Sequence, residues 1–315
     1  MLSRKGPGRD PSDLVAQFGH TSVCIAFVPT CVGTSQVLDT AEMCPLTAAN
    51  GCVCAVCPVR PLRWCKARVM GWLERYSSGD RERVWHELRQ LGDRVRDPAV
   101  AAEAQAVCDE MARRARQNVE VIVDRLTAQG YRFHINDDAK TPTIPLRPPT
   151  LAAGAMVTWL EGRFGSLPMT VSSWLRLVGD VWLVGAHPLW DDIDQADPLV
   201  VELEYAGYPG VSPQDFYEGE FEAWQEQFSD DPAEAGGFVL PVAPDRLHKA
   251  NISGGLPYGF RVPDGCVEGI FVGEVAMPFV SYLNWVFASG GFPGPSRSDA
   301  QWRVKHGLAK DLLPL

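Results

Sequence analysis

Lysine is scarce in this chain, which has 6 lysines beside 23 arginines in its 315 residues. Together these give 29 basic residues against 39 acidic ones and a formal net charge of −10. A nucleic-acid-binding protein needs a basic face to replace phosphate counterions, so this balance argues against nucleic acid as a partner. The excess of arginine over lysine, with abundant alanine and glycine, is typical of a GC-rich genome and indicates a bacterial source.

Long apolar runs are also lacking, and no stretch of about eighteen uncharged apolar residues exists to span a membrane. Near the N-terminus, Asp10, Asp13 and His20 precede the apolar stretch 23–28, which Pro29 ends, so a secretory signal peptide is not expected. The composition, 46% apolar and 22% charged, is that of a globular protein. We therefore expect a soluble, cytoplasmic protein without a membrane partner.

Cysteine is rare after residue 70, where Cys108 and Cys266 are two of the nine cysteines in the chain. The other seven lie in residues 1–69, and four of them could supply thiolates to zinc or an iron–sulfur cluster. This candidate metal site consists of Cys52, Cys54, Cys57 and Cys65, with Cys44 as an alternative fourth ligand. Zinc ribbons usually have two separated C-x-x-C pairs, however, and this segment has one.

Residues 1–69 also lack helical or strand periodicity and contain no tyrosine. They carry seven basic and four acidic residues, a balance of +3 against −13 for the rest of the chain. Apolar patterning begins directly after Met70. We therefore predict that Met70 is the true start, that residues 1–69 are translated upstream sequence, and that the protein holds neither a metal nor another cofactor.

Residues 70–140 are predicted to form a helical hairpin followed by a short strand. One helix begins at Asp80, and its buried face is expected at Val84, Trp85, Leu88, Leu91 and Val95. A longer helix is predicted from Asp97 and Pro98, as N-cap and first helical residue, to Gly130 as C-cap. Alternation over Tyr131–Ile135 indicates the strand.

Residues 141–149, rich in proline, are predicted to be a connector without regular structure. Residues 150–315 then mix helices and strands without a repeating βαβ unit, which indicates an α+β domain with a mainly antiparallel sheet. Helices are predicted at 152–164, from Pro168, from Ser212, at 278–288 and at 299–313, and strands at 181–184, 199–204, 238–242, 258–262 and 270–272.

The stretch 157–185 resembles the start of the SUKH superfamily, bacterial toxin-immunity proteins related to a fungal cell-wall regulator. The matching residues are Leu160, Glu161, Gly165, Leu167, Pro168, Trp174, Leu175 and Gly179. They cover about thirty residues, and their elements, such as proline at a helix start, recur in many folds. The resemblance implies an α+β binding module, of immunity or regulatory type, without catalytic residues.

Basic residues are absent from the 69 positions between Arg176 and Arg246, which hold sixteen acidic residues. Such a field attracts basic partners and speeds their association. We therefore predict a basic protein as the partner; the alternative is an ordinary acidic surface that keeps the protein soluble. The candidate partner-binding residues are Asp191, Asp192, Asp194, Glu218, Glu220 and Glu222.

The polar segment Asp245–Gly255, which reads DRLHKANISGG, allows two interpretations. In a hydrolase, His248 would be the general base, Asp245 would orient it, Ser253 would be the nucleophile and Lys249 would add a donor. The sequence lacks the G-x-S-x-G elbow, so no catalytic residues are expected on balance. The favoured interpretation is a structured loop in which Asp245 caps a turn and the two glycines supply a positive φ.

Overall fold

A computed structural model describes residues 70–190, 196–204, 210–228 and 237–315 of the chain. They belong to one compact unit, Lys66–Leu315. The cysteine-rich segment lies outside the described residues. The prediction of a start at Met70 and the alternative thiolate site at Cys52, Cys54, Cys57 and Cys65 therefore have no structural counterpart here.

The described chain begins with helices. They are α1 (Trp72–Ser78), α2 (Arg81–Gln90), a 3-10 helix (Gly92–Arg96) and α3 (Ala101–Ala128). Of the residues that the helical spacing predicts to be buried, the structure buries Val84, Trp85, Leu88 and Val95. The helix α1 packs against both α2 and α3 and was not predicted, because seven residues are too few for a recognisable apolar period.

The start of α3 differs from its prediction. Asp97 and Pro98 are predicted as N-cap and first helical residue, but α3 begins at Ala101. The carbonyl of Asp97 accepts the N–H of Ala101 at 2.9 Å, and residues 98–100 form a turn instead. The predicted C-terminal glycine is confirmed, since Gly130 has φ +78 directly after the last turn.

Within the described residues, nine strands form three antiparallel sheets with the orders β1-β4, β2-β3-β5 and β6-β7-β8-β9. The strands are β1 (Arg132–Phe133), β2 (Leu146–Arg147), β3 (Asp180–Trp182), β4 (Gly185–Ala186), β5 (Val200–Val201), β6 (Phe238–Ala243), β7 (Tyr258–Val262), β8 (Ile270–Val272) and β9 (Met277–Pro278). The predicted α+β class with antiparallel sheets is confirmed.

The strand β2 lies inside residues 141–149, the predicted connector. The prediction of no regular structure there is wrong, because Leu146 and Arg147 pair with Val181 and Asp180 of β3. As β2 is an edge strand, its flanking prolines interrupt no central ladder of hydrogen bonds. The segment is therefore part of a sheet.

Six further helices complete the described chain. They are α4 (Ala153–Phe164), α5 (Met169–Leu177), α6 (Pro213–Gln227), α7 (Arg246–Lys249), α8 (Phe279–Ala288) and α9 (Asp299–Ala309). All but α7 begin within one residue of the predicted position. At α6 the hydroxyl of Ser212 accepts the N–H of Asp215 at 3.1 Å, the N-cap that the sequence indicates.

The sheet β6-β7-β8-β9 and the helix α8 share an aromatic core. Phe260 of β7 faces Phe271 of β8 in register, and both are buried. Phe279 of α8 lies 4.9 Å from Phe260 between ring centroids, and Tyr282 stacks on Phe271 at 4.0 Å. Burying one such ring stabilises the fold by about 1.5–3 kcal/mol. This packing fixes one face of α8 against the ends of β7 and β8.

Candidate functional site

The polar segment Asp245–Gly255 begins with the short helix α7. Asp245 is buried, and its Oδ1 accepts the N–H groups of Leu247 at 2.7 Å and of His248 at 3.3 Å. The prediction that Asp245 caps a turn is therefore confirmed. Burial acts to raise the pKa of Asp245, but hydrogen bonds from His248 and from these backbone groups outweigh it and lower that pKa.

The imidazole of His248 faces its own loop. Its Nδ1 contacts Asp245 Oδ2, and its Nε2 accepts the backbone N–H of Gly254 at 3.4 Å. In a serine hydrolase that Nε2 would meet the hydroxyl of the nucleophile. Ser253 is instead exposed at the loop surface. The structure thus brings Asp245 and His248 together, but it places a backbone N–H where the Ser253 hydroxyl would be needed.

Lys249, the fourth residue of the hydrolase interpretation, points into the protein. Its side chain is 1% exposed, and its Nζ donates to Asp197 Oδ1 at 2.7 Å. The same ammonium lies 4.7 Å from the centroid of the Tyr258 ring. Burial lowers the pKa of Lys249, while the charge of Asp197 opposes that shift. Lys249 is therefore a buried structural cation rather than a donor for the loop.

The two glycines of the loop serve a different purpose from the one predicted. Neither Gly254 nor Gly255 lies in the left-handed region, and it is Asn251 that has a positive φ, +59. A Cβ at Gly254 would lie 2.3 Å from Asp245 Oδ1. Glycine is needed at position 254 because the backbone passes directly over that carboxylate.

A second segment anchors the loop. The Nδ2 of Asn136 donates to the carbonyl of His248 at 2.8 Å, and the Nδ2 of Asn251 donates to Asp138 Oδ1 at 2.7 Å. The partner of Asn251 is therefore a side chain far away along the sequence. The loop is tied to the chain segment that follows β1.

A cavity of about 350 Å³ opens on the other side of α7, between β7, β8 and α8. A volume of that size is typical of small-ligand sites. The walls combine aromatic residues and prolines with a few charged groups. They include Tyr258, Phe271, Tyr282, Trp285, Pro293 and Pro295, together with Asp197, Arg246 and Glu274.

The charged groups of the cavity are arranged as two ion pairs. Arg246 Nε donates to Glu274 Oε1 at 2.5 Å, and this bond raises the pKa of the Arg246 guanidinium. Asp197 receives Lys249 from the protein interior. Asp197 has φ +48, a conformation that aspartate tolerates better than most residues. Its backbone conformation and its buried partner together hold the carboxylate in the cavity wall.

Tyr282 is the buried polar residue of this wall that lacks a hydrogen-bond partner. Tyr282 is 3% exposed, and its hydroxyl makes no hydrogen bond in the described part of the chain. Burial and then the charges of Asp197 and Tyr258 raise the pKa of Tyr282, so the hydroxyl keeps its proton. A buried hydroxyl without a partner costs about 1–3 kcal/mol.

The predicted acidic surface is present on the helix α6. Asp215, Glu218, Glu222 and Glu226 follow each other at spacings of three, four and four residues, so they share one face. The opposite face carries Tyr217, Phe221 and Trp224, which pack against Phe164 and Phe238. The packing of the aromatic face directs the acidic face towards solvent.

The predicted partner-binding carboxylates of α6 differ in their surroundings. Glu218 accepts Arg163 Nε at 2.7 Å, and this bond lowers the pKa of Glu218. Glu220 lies off the acidic face and is half-buried, and burial raises its pKa. Glu222 is exposed. The remaining candidates, Asp191, Asp192 and Asp194, lie outside the described residues.

In the described part of the chain, one group of side chains has metal-ligand spacing. Asp93, Asp264 and Cys266 place one ligand atom each within 4.8 Å of one another. Burial, followed by hydrogen bonding to Asp264, raises the pKa of Cys266 to about 12. The three residues are joined by hydrogen bonds, since the backbone N–H of Cys266 donates to Asp264 Oδ1 at 2.9 Å and its thiol contacts Asp93 Oδ1 at 3.8 Å, so we describe this group as a hydrogen-bonded cluster.

The cavity was missed by the sequence analysis. Its residues come from positions 197, 246, 258, 271, 273–275, 282, 285 and 293–295. The predicted strands and helix contain Tyr258, Phe271 and Tyr282, but they do not show that these residues surround one space. No short motif of the sequence marks the convergence.

No protein family, no curated protein and no solved structure matches this chain in the comparisons with known proteins. None of the helices in the described ranges is both long enough and apolar enough to cross a membrane.

Proposed function

We propose that the protein is a binding module of immunity or regulatory type that engages a basic protein through the acidic face of α6. The observation that carries this proposal is the alignment of Asp215, Glu218, Glu222 and Glu226 on one solvent-facing stripe. The sequence of α6 contains no lysine or arginine. A one-signed stripe on a rigid helix steers an oppositely charged partner and orients it on arrival.

The neighbourhood of the stripe supports a binding role. Arg163 of α4 is the basic residue that bonds to it, through Glu218, and its guanidinium also lies 4.6 Å from the centroid of the Phe221 ring. Asp215, Glu222 and Glu226 are exposed, so three carboxylates of the stripe are accessible to a partner. The aromatic packing beneath α6 holds these groups on a fixed surface.

A hydrolase remains the alternative, because Asp245 and His248 form the paired carboxylate and imidazole that such an enzyme uses. The exposed position of Ser253 and the bond from Gly254 to His248 favour a structural role for this pair. We expect His248→Ala and Ser253→Ala to leave the biological activity intact, whereas an enzyme would lose it.

The proposal is tested by affinity capture with matched variants of the full chain. Glu222→Lys/Glu226→Lys reverses two exposed charges of the stripe. Glu74→Lys/Asp124→Lys reverses two exposed charges on α1 and α3 and serves as the control with the same net charge. The proteins retained by the wild type and the control, but not by the stripe variant, are then purified and tested for direct binding.

We expect a basic protein that binds the wild type and the control alike and binds the stripe variant at least about tenfold more weakly. Equal binding to all three proteins, or a partner with an acidic surface, would refute the role of α6. Retained partner binding together with loss of a hydrolytic activity in the His248 variant would favour the enzyme instead.

A further inference from the structure

The exposed face of α6 carries a glycine between its charges. Gly219 lies four residues after Asp215 and three before Glu222, so all three share one face of the helix. A Cβ at Gly219 would meet no atom within 4 Å, and its φ is not positive. Glycine is a poor helix former, so the fold of a single copy gives no reason for it at this position. A glycine on such a face lets the backbone of a second molecule approach closely.

The exposed face of α9 has the same spacing with the opposite charge. Gly307 lies four residues after Arg303 and three before Lys310, the C-cap of the helix, and a Cβ there would also meet no atom within 4 Å. Arg303 and Lys310 are exposed, and in the described part of the chain neither forms an ion pair. Asp299, the acidic residue of α9, lies in the first turn, before this stretch. The face therefore presents two cations, one on each side of a glycine.

Glycine alone does not distinguish these two faces. Within the described α-helices, glycine occurs also at Gly154 and Gly162 of α4. Neither lies between two like charges, since the charged residues of α4 are Glu161 and Arg163. Among the described α-helices, a glycine with like charges on both sides is therefore specific to α6 and α9. The charges of the two helices are complementary.

An exposed tryptophan borders the basic face of α9. Trp302 is 57% exposed, and its ring stacks on the ring of His306 with the centroids 5.1 Å apart. His306 lies three residues after Arg303, so the stacked pair adjoins the two cations. Tryptophan is enriched at protein interfaces, where a partner covers its large surface. The helix α9 thus offers apolar area as well as charge to a second molecule.

We propose that α6 of one copy of the protein docks against α9 of a second copy. When the two helices run parallel, their spacings coincide, so that Asp215 faces Arg303 and Glu222 faces Lys310. The two glycines then lie opposite each other, where the backbones approach most closely. On both helices the charges are seven residues apart, about 10.5 Å along the axis, so one placement forms both ion pairs.

The inference rests on the proposed function in that it uses the same acidic face of α6. It names the second copy as a further occupant of that face, so the contact between copies and the basic partner exclude each other. Because α6 and α9 are different surfaces, the contact is heterologous and can join more than two copies. Two crossing helices share a small area and exposed ion pairs are weak, so we expect a Kd on the order of 10⁻⁴ M.

The test measures the mean mass of the full chain by sedimentation equilibrium between about 10 and 500 μM, a range that brackets the expected Kd. A reductant is present, because the nine cysteines of the chain could otherwise join copies through disulfides. We expect the mean mass to rise with concentration at about 50 mM NaCl and to approach that of the monomer at about 500 mM, where salt screens the ion pairs. A monomer at every concentration would overturn the inference.

Charge variants test the pairing of Glu222 with Lys310. Glu222→Lys and Lys310→Glu should each weaken association about three- to tenfold, since each replaces an attraction by a repulsion. The double variant Glu222→Lys/Lys310→Glu exchanges the two charges and should recover most of the lost affinity. Glu222→Lys/Arg83→Glu has the same net charge, with the second reversal at an exposed residue of α2, and should not recover it. Equal association of the two double variants would contradict the pairing.

Substitution of Gly219 separates the contact from folding. Gly219→Leu places a better helix former in open space, so it should raise the melting temperature in dilute solution by about 2–4 °C. The same side chain blocks the close approach of α9 and should weaken association about tenfold. Ala102→Leu adds bulk at an exposed residue of α3 and should leave association unchanged. A lower melting temperature for Gly219→Leu, or equal association of both variants, would refute the role of the glycine.

Affinity capture distinguishes this inference from the proposed function. If the protein stays a monomer, while Glu222→Lys/Glu226→Lys no longer retains a basic partner, the inference fails and the proposed function stands. If the copies associate and the variants behave as expected, while the wild type and Glu222→Lys/Glu226→Lys retain the same foreign proteins, the proposed function fails and the contact between copies stands.

Discussion

Lys249 holds the wall of the cavity in place from the interior. Its ammonium is 1% exposed and the carboxylate of Asp197 is 9% exposed. Each charge therefore offsets most of the free-energy cost of burying the other. Such a pair is costly because both charges lose their water. A buried ion pair is therefore retained where its geometry has a further role. Here the pair positions Asp197 at the surface of the cavity.

Replacing Lys249 by methionine should destabilise the protein by about 3–5 kcal/mol, because Asp197 would stay buried without its cation. The double variant Lys249→Met/Asp197→Asn should lose clearly less than the sum of the single variants, since asparagine keeps a tolerated residue at φ +48 and removes the charge. Urea unfolding of all four proteins measures this cycle. Additive losses would mean that the pair does not couple.

Glu202 is a half-buried carboxylate whose pKa makes stability depend on pH. Burial, followed by the neighbouring charge of Asp180, raises its pKa from 4.5 to about 8, and Arg147, at 3.4 Å, opposes that shift. Because the folded pKa exceeds the unfolded one, the folded state binds the extra proton. The stability that this provides is complete below pH 4.5 and is lost as the pH rises through 8.

Glu202→Gln should therefore flatten the pH dependence of stability between pH 5 and 8. Glutamine resembles the protonated acid, so relative to the wild type the variant should gain about 2–4 kcal/mol across that window. Urea unfolding at pH 5, 6.5 and 8 measures both proteins. Parallel curves for wild type and variant would show that Glu202 does not carry the proton in the folded state.

At the scale of elements, α7 depends on its cap. It has four residues, too few for intrahelical bonds alone, and Asp245 satisfies two of its N–H groups. The elements that the sequence predicts well are those with a clear period or a cap, such as β7, β8 and α8. The same reasoning does not find α7, because a polar segment with one capping residue reads equally well as a turn.

Asp245→Ala should cost about 1–2 kcal/mol through loss of the cap, whereas Asp245→Asn, which retains an acceptor, should cost less. Amide hydrogen exchange at Leu247 and His248 reports on the cap directly. Faster exchange at these two amides in the alanine variant, with the asparagine variant in between, is expected. Unchanged exchange in Asp245→Ala would show that α7 does not need this side chain.

The two-residue strands mark the limit of prediction at this scale. Leu146 and Arg147 become β2 because β3 lies beside them, and Met277 and Pro278 become β9 through pairing with β8. Such strands have no period of their own, and they form only through a partner strand, which is distant along the chain for β2 and is the preceding strand for β9. Local sequence rules cannot supply that information.

At the scale of the whole molecule, the acidic stripe and the cavity have different origins in the sequence. The acidic stripe follows from the helical spacing of Asp215, Glu218, Glu222 and Glu226, and the sequence predicts both the helix and its charge. The cavity needs the convergence of segments that are up to about a hundred positions apart, which only the folded chain shows. The charged face of α6 is therefore predictable from the sequence, whereas the cavity is not.

The most direct test of binding through α6 is the association rate constant of the purified partner as a function of salt. For the wild type, we expect the rate to fall about tenfold or more between about 20 and 300 mM NaCl, because screening removes the attraction of the stripe. Glu222→Lys/Glu226→Lys should bind slowly with little salt dependence, and Glu74→Lys/Asp124→Lys should behave as the wild type. Identical rates and salt slopes for all three proteins would contradict the proposed function.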